Sequence, residues 1–134
     1  MIEPFKVQVR FSDLDVLGHV NNSVYLTYFE SARVYYFQQL LDTSWDWETD
    51  SVVLVKNEVE YIRPIFLHDV PEVEVSTVHV GSKSFTFAYH IRVNDVLCSK
   101  GSSTLVAFDA KSHSTVLIKP EMLEVLEKLK RKPM

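Results

Sequence analysis

The sequence predicts an α+β fold in which one long helix packs against a five-stranded, mainly antiparallel sheet. Two observations predict it. From Tyr25 to Leu40, apolar residues recur every three or four positions, which is the period of an amphipathic helix. Between residues 52 and 108 they alternate with polar residues instead, in segments separated by turn-forming residues, as half-buried strands do. The predicted sheet therefore has one face for the helix and another that needs a different cover.

The first strand is indicated by four apolar residues that alternate with polar ones: Phe5, Val7, Val9 and Phe11. We expect it to end near Asp13. The helix should begin within Asn21–Ser23, because these side chains accept hydrogen bonds from the free amides of a helix start. It should run for about five turns and end near Leu41. We place four residues largely on its polar side: Thr27, Glu30, Arg33 and Gln38.

Four more strands and a short helix complete the predicted fold. The strands span approximately 52–63, 71–80, 84–93 and 96–108, and Asn94-Asp95 forms a tight hairpin turn between the last two. Pro120 suits the first turn of a C-terminal helix. The apolar face of that helix comprises Met122, Leu123, Leu126 and Leu129. Its basic end is interpreted as a solvated helix terminus and comprises Lys128, Lys130, Arg131 and Lys132.

Length and composition predict one intracellular domain over residues 1–134. The formal charge of -4 gives no basic signal, so nucleic acid is not an expected partner. The N-terminus lacks the apolar segment of a signal peptide, and no apolar run is long enough to span a membrane. The single cysteine, Cys98, is interpreted as a small buried residue of a reduced protein. We therefore expect a cytoplasmic location.

The chemistry-bearing segment is the connection between the first strand and the helix, residues 10–25. It contains two carboxylates, a glycine and an imidazole: Asp13, Asp15, Gly18 and His19. Unpaired amides at the following helix start carry partial positive charge and are able to hold a developing oxyanion. A nearby carboxylate is then placed to attack a carbonyl or to activate water.

The residues of this segment resemble the 4-hydroxybenzoyl-CoA thioesterase-like family of hotdog-fold proteins. The resemblance rests on Asp13-x-Asp15-x-x-Gly18-His19-Val20-Asn21-Asn22-x-x-Tyr25, followed by Tyr28-Phe29-Glu30-x-Ala32-Arg33. Further agreement lies at Tyr61-Ile62-Arg63-Pro64, at Asp69 and at Gly81-Ser82-Lys83-Ser84-Phe85. It covers roughly residues 6–130.

The resemblance implies a hotdog fold, a long central helix wrapped by the sheet, and an acyl-CoA thioesterase activity on a fatty or aromatic acyl group. It implies Asp15 as nucleophile or general base and the backbone amide of Asn22 as the group that polarises the thioester oxygen. His19 and Tyr25 are grouped with them as substrate-binding residues. Lys83, with Ser84 beside it, matches a CoA-binding position. No cofactor is implied, and homodimers or homotetramers with shared active sites are expected.

Several alternatives stay open at this point. Asp13 is interpreted as a structural turn residue. A metal site of Asp13, Asp15 and His19 is not expected, because three ligands within seven residues lack the spacing of familiar zinc or iron sites. A serine triad lacks its nucleophile elbow, and the spacing of Asp15 and His19 does not match a hotdog hydratase. A non-catalytic acyl-CoA-binding protein and an acyl-carrier-protein thioesterase remain alternatives, and the sequence does not identify the acyl group.

Overall fold

The structure, a computed structural model, describes residues 2–131 and confirms the α+β prediction. Lys132, the last residue of the predicted basic helix end, lies outside the described residues. The long helix is α1 (Val24–Leu40) and the C-terminal helix is α2 (Pro120–Lys128). The strands are β1 (Phe5–Lys6), β2 (Asp50–Tyr61), β3 (Glu72–Val80), β4 (Ser84–Val93), β5 (Val96–Asp109) and β6 (Ser114–Thr115).

All strand pairs are antiparallel, and the main sheet order is β1-β3-β4-β5-β2, with β6 paired to the end of β5. The predicted turn between β4 and β5 is confirmed. Asn94 and Asp95 both have positive φ, 49° and 65°, which is the conformation of the tight hairpin turn whose twist suits flanking strands. The two-residue strand β6 was not predicted.

The core lies between α1 and the inner face of the sheet. Phe29 of α1 stacks on Tyr89 of β4 with ring centres 4.2 Å apart and planes 6° from parallel, and both rings are fully buried. Gly101 of β5 makes this stacking possible. A Cβ atom there would lie 2.7 Å from Cε2 of Phe29, closer than packed atoms approach, so this position requires a residue without a side chain.

The predicted first strand is much shorter than expected. Only Phe5 and Lys6 pair with β3, and the chain turns into a 3₁₀ turn at Phe11–Asp13. The carboxylate of Asp13 accepts a hydrogen bond from the amide of Arg10 at 3.0 Å, which stabilises this turn and ends the extended segment. Phe11 is consequently 81% exposed, although the alternation placed it on the buried face.

The placement of Arg33 on the polar side of the helix was wrong. Its side chain is buried, and Nη1 donates to the hydroxyl of Tyr89 at 3.0 Å and towards Ser103 Oγ at 3.4 Å. The period of the helix predicts which side faces the sheet, but it does not predict how far the sheet extends beside that face. Because β4 and β5 extend under this side of α1, the guanidinium lies above their inner face.

β2 forms an edge of the sheet in the described part of the chain. Three consecutive apolar side chains on this strand are exposed: Val53, Leu54 and Val55. An edge strand of twelve residues presents unpaired backbone groups along its free side. Within residues 2–131, the helices are too short or too polar to span a membrane.

Candidate active site

The loop between β1 and α1 is folded as a small hairpin around Asp15. Leu14 bridges to Val20, the amide of Asp15 donates to the carbonyl of His19 at 2.8 Å, and the amide of Gly18 donates to the carbonyl of Asp15 at 3.0 Å. Gly18 has φ of +81°, a left-handed conformation that glycine adopts without the steric cost paid by other residues. This turn fixes the backbone on both sides of the Asp15 side chain.

The Asp15 carboxylate is held by one oxygen. Its Oδ1 accepts from the amide of Leu17 at 2.9 Å and from the amide of His19 at 3.3 Å. Among the described residues, Oδ2 accepts no hydrogen bond. The side chain is half-buried. The carboxylate is therefore oriented by its own loop while one oxygen remains available for chemistry.

The start of α1 presents a free amide to the same place. Asn21 Oδ1 accepts from both the amide and the hydroxyl of Ser23 at 3.0 Å, and the carbonyl of Asn21 accepts from the amide of Val24 at 2.9 Å. The amide of Asn22 donates to no acceptor in the described part of the chain. Asn22 directly precedes the N-cap residue Ser23, so this amide lies beside the helix N-terminus, whose partial positive charge attracts negative charge.

Tyr61, at the end of β2, fixes the helix start. Its hydroxyl donates to the carbonyl of Asn22 at 2.8 Å, and its ring meets the ring of Tyr25 edge-on, with centres 4.9 Å apart. Sequence reasoning did not assign Tyr61 to the site. The family resemblance at Tyr61-Ile62-Arg63-Pro64 was the signal in the sequence that could have identified this residue.

Together these residues line a cleft of about 270 Å³. The cleft brings together all four residues predicted around the thioester, and it adds residues from the end of β2 and the following turn. Its lining comprises Asp15, His19, Val20, Asn22, Tyr25, Tyr61, Ile62, Arg63 and Pro64. A carboxylate oxygen, an unpaired amide and a cation thus share one small opening.

Tyr25 and His19 form walls of this cleft. Tyr25 is buried, and burial, together with the negative charge that Cys98 and Tyr61 acquire on ionising, raises the pKa of its hydroxyl to about 12. It is therefore a neutral hydrogen-bonding group at neutral pH. The imidazole of His19 packs edge-on against Phe66, with ring centres 5.0 Å apart.

Asp13 has the structural role expected of it. Besides the Arg10 amide, its Oδ2 accepts from the hydroxyl of Tyr28 at 2.8 Å. Burial and this contact with a carboxylate raise the pKa of Tyr28. Asp13 does not line the cleft.

Lys83 and Ser84 lie far from the cleft within one chain. Ser84 pairs with Val106, which pairs with Val53 near the start of β2, whereas Tyr61 is at the other end of that strand. At about 3.3 Å per residue, the two ends are roughly 25 Å apart. The structure of a single chain therefore does not bring the predicted CoA-binding residues to Asp15.

The described residues contain no group of three or more His, Cys, Asp or Glu side chains arranged to hold a metal ion. Asp15 Oδ1 accepts from backbone amides and Asp13 Oδ2 accepts from the Tyr28 hydroxyl, so the two carboxylates of the motif have different partners.

Comparison with known proteins identifies the family. A sequence model of the thioesterase-like superfamily matches residues 9–126. A thioesterase from Thermus thermophilus, solved as a complex with coenzyme A and zinc, is 36% identical with a TM-score of 0.84, covering 98% of this chain and 96% of that chain.

Two curated proteins are also similar. The uncharacterised protein YsmA of Bacillus subtilis (strain 168) is 33% identical over 122 residues, covering 90% of this chain and 82% of that protein. The long-chain acyl-CoA thioesterase FadM of Escherichia coli (strain K12) is 27% identical over 129 residues, covering 92% of this chain and 96% of that protein. The resemblance stated from the sequence is confirmed. The chain therefore belongs to the thioesterase-like superfamily, has the hotdog fold and is a thioester hydrolase.

Proposed function

We propose that this protein is an acyl-CoA thioesterase in which Asp15 is the catalytic carboxylate and the Asn22 amide stabilises the oxyanion. One observation carries the proposal: Asp15, with Oδ2 free of protein hydrogen bonds, and Asn22, whose amide is unpaired, line the same cleft. A thioester carbonyl placed there would have a nucleophile or base on one side and a helix-start donor on the other.

The chemistry follows from these two groups. The carbonyl oxygen accepts a hydrogen bond from the Asn22 amide, which polarises the carbon. Asp15 Oδ2 then either attacks that carbon to form a mixed anhydride, which water hydrolyses, or removes a proton from an attacking water. In both routes the C–S bond breaks, coenzyme A leaves as the thiol after protonation, and the acyl group leaves as a free acid.

The remaining cleft residues bind and orient the substrate in this proposal. The neutral hydroxyl of Tyr25 and the imidazole of His19 border the thioester, and Tyr61 holds the helix start through the Asn22 carbonyl. A coenzyme A thioester is favoured because the Thermus thermophilus relative was solved with coenzyme A and the Escherichia coli relative is a long-chain acyl-CoA thioesterase.

We further propose that two chains pair through β2. This edge strand is long and exposes three apolar residues in sequence, and a second copy running antiparallel would satisfy its free backbone groups. A twofold axis near the middle of β2 brings the start of one copy beside the end of the other. Lys83 and Ser84 of one subunit would then approach the cleft of its partner, where they are proposed to bind CoA. A homotetramer would consist of two such dimers.

The test is thiol release from a panel of short, long and aromatic acyl-CoAs by the wild type and by Asp15→Asn at neutral pH. We expect kcat for the best substrate to fall at least about a hundredfold, because the amide neither attacks nor accepts a proton. Asp13→Asn is the matched control. It changes the other carboxylate of the same loop, which lies outside the cleft, and should retain activity within about tenfold.

The outcomes separate the alternatives. Undiminished activity of Asp15→Asn would refute carboxylate catalysis. Tight acyl-CoA binding without turnover by the wild type would indicate a binding protein. Hydrolysis of acyl-carrier-protein thioesters but not of their CoA counterparts would reassign the carrier.

A further inference from the structure

A second cavity in the described chain is separate from the cleft. It has a volume of about 740 Å³, within the range of small-molecule sites. It lies between the second half of α1, the loop that follows and the start of β2. Its apolar wall comprises Val34, Phe37, Leu41, Trp45, Trp47, Val52, Leu54 and Leu105.

Three aromatic side chains in the wall of this cavity pack against one another. Trp47 lies 5.9 Å from Trp45 and 5.3 Å from Phe37 between ring centres. Trp45 Nε1 donates to the carbonyl of Asp50 at 3.1 Å, which ties the loop to the start of β2. The aromatic wall is therefore fixed to the sheet on one side and to α1 on the other.

One charged side chain in the wall is buried. Arg33 is 7% exposed and lines the cavity. Its Nη1 is used by the hydroxyls of Tyr89 and Ser103, and Glu30 Oε2 lies 3.9 Å from Nη2 on a side chain that is 69% exposed. A guanidinium carries five N–H donors, so donors of Arg33 remain for a ligand that enters the pocket.

The surrounding charges determine which acceptor fits. Glu30 and Asp42 also line the cavity, and hydrogen bonds from the amide and hydroxyl of Ser44 lower the pKa of Asp42 and keep it ionised. A ligand carboxylate would be attracted by one guanidinium but repelled by two carboxylates. An uncharged oxygen, by contrast, takes an N–H of Arg33 without repulsion and without removing Glu30 from it.

The cavity lies within reach of a thioester. Along α1, Glu30 is eight residues from Asn22, or about 12 Å at 1.5 Å per residue. Across the proposed twofold pairing, the start of β2, which lines the cavity through Val52 and Leu54, lies beside the end of the partner's β2, which lines the cleft.

We infer that this cavity receives the acyl group and that Arg33 selects acyl groups bearing an uncharged oxygen, a hydroxyl or keto group, remote from the thioester. The inference rests on the thioesterase function proposed above and adds its substrate class. The apolar and aromatic wall binds the carbon chain. The guanidinium donates a hydrogen bond to the single oxygen near the end of that chain remote from the thioester.

The experiment compares kcat/KM for acyl-CoAs of eight to twelve carbons that differ only at the far end: methyl, hydroxyl, keto or carboxylate. The wild type should prefer the hydroxyl or keto compound over its methyl counterpart by about tenfold, as one charge-assisted hydrogen bond allows. Arg33→Met should reduce that ratio to near one, whatever its effect on the absolute rates. Gln38→Met, which removes a different polar group from the same wall, should leave the ratio unchanged.

Absence of a hydroxyl or keto preference in the wild type would overturn the inference without any variant being needed. Preference for the carboxylate would overturn the requirement for an uncharged oxygen, and an unchanged ratio in folded Arg33→Met, checked by circular dichroism, would overturn the role of Arg33. Where the wild type hydrolyses no acyl-CoA, the proposed function fails. The Kd values of the same compounds, measured by calorimetry, then show the same preference if the pocket is assigned correctly and none if it is not.

Discussion

At the scale of single residues, the hydroxyl of Tyr61 joins parts of the chain that are 39 positions apart. It bonds the carbonyl of Asn22, whose own amide points at the cleft in the proposed mechanism. We therefore expect the side chain to affect catalysis by holding the proposed oxyanion donor in place. Acting through Asn22 would make it a positioning residue.

Tyr61→Phe tests this role. The ring and its contact with Tyr25 stay, and only the hydroxyl is lost, so we expect kcat to fall about three- to tenfold with little change in KM, from the loss of about 1 kcal/mol of hydrogen bonding. Steady-state kinetics on the best acyl-CoA measures both constants. Tyr35→Phe, another half-buried tyrosine, outside the cleft, is the control. A wild-type kcat in Tyr61→Phe would show that the helix start keeps its position without the Tyr61 hydrogen bond.

Residues close together in sequence were the predictable part of the site. Asp15, His19, Asn22 and Tyr25 lie within eleven positions, and a turn followed by a helix start necessarily brings such residues together. Tyr61 joins them only through the register of β2 against β5, which no local pattern reveals. Whether Lys83 and Ser84 act at the site depends on a second subunit, and that stays a prediction.

At the scale of elements, α1 approaches β5 closely at Gly101. The backbone of β5 passes beneath the stacked pair of Phe29 and Tyr89 with no room for a side chain. This contact fixes the distance between the long helix and the middle of the sheet.

Gly101→Ala should therefore lower the free energy of unfolding by about 1–3 kcal/mol, because the added methyl overpacks a rigid core contact. Chemical denaturation measures the change. Gly81→Ala is the control, since the nearest atom to its new methyl would be the Ser84 hydroxyl at 3.2 Å, a side chain able to turn aside. Equal stability of wild type and Gly101→Ala would mean that both Phe29 and the backbone of β2 at Glu58, whose carbonyl would lie 2.5 Å from the methyl, move aside at little cost.

The helices and strands were predictable where one periodicity continued for several turns or pairs. β2–β5 and α1 were located within about two residues at each end, and α2 at its start, whereas the predicted basic end of α2 extended past its last residue, Lys128. β1 was overextended because a side-chain hydrogen bond, from the Arg10 amide to Asp13, overrode the alternation. The burial of Arg33 was missed because a charged residue is assigned to solvent unless its partners are known, and Tyr89 and Ser103 are remote in sequence. Strand order follows from pairing over long separations, which composition and period do not encode.

At the scale of the whole molecule, the exposed edge of β2 leads to a prediction about assembly. Val55→Lys introduces a charge at the centre of the proposed β2–β2 interface, where burial without a partner is costly. We expect monomers in sedimentation experiments, together with loss of most activity if the site is shared.

A matched control exists on β3, which β4 and β5 separate from β2. Val78 of β3 and Val55 of β2 are both 58% exposed, so Val78→Lys adds the same charge at the same exposure away from the proposed interface. It should leave the oligomeric state unchanged. An unaltered sedimentation coefficient for Val55→Lys relative to wild type would place the contact between subunits elsewhere.

The position of β2 in the chain also affects biosynthesis. Its partner in the sheet, β5, begins at Val96, and pairing between the two extends to Asp109. After Tyr61, a ribosome must add 38 residues before Ser99, the first residue that pairs with β2, is made, and 48 before Asp109, the last. Both edges of β2 lack a neighbouring strand until then. Exposed apolar strands with free backbone groups template aggregation. We therefore expect slow synthesis at low temperature to favour recovery of this protein in native form.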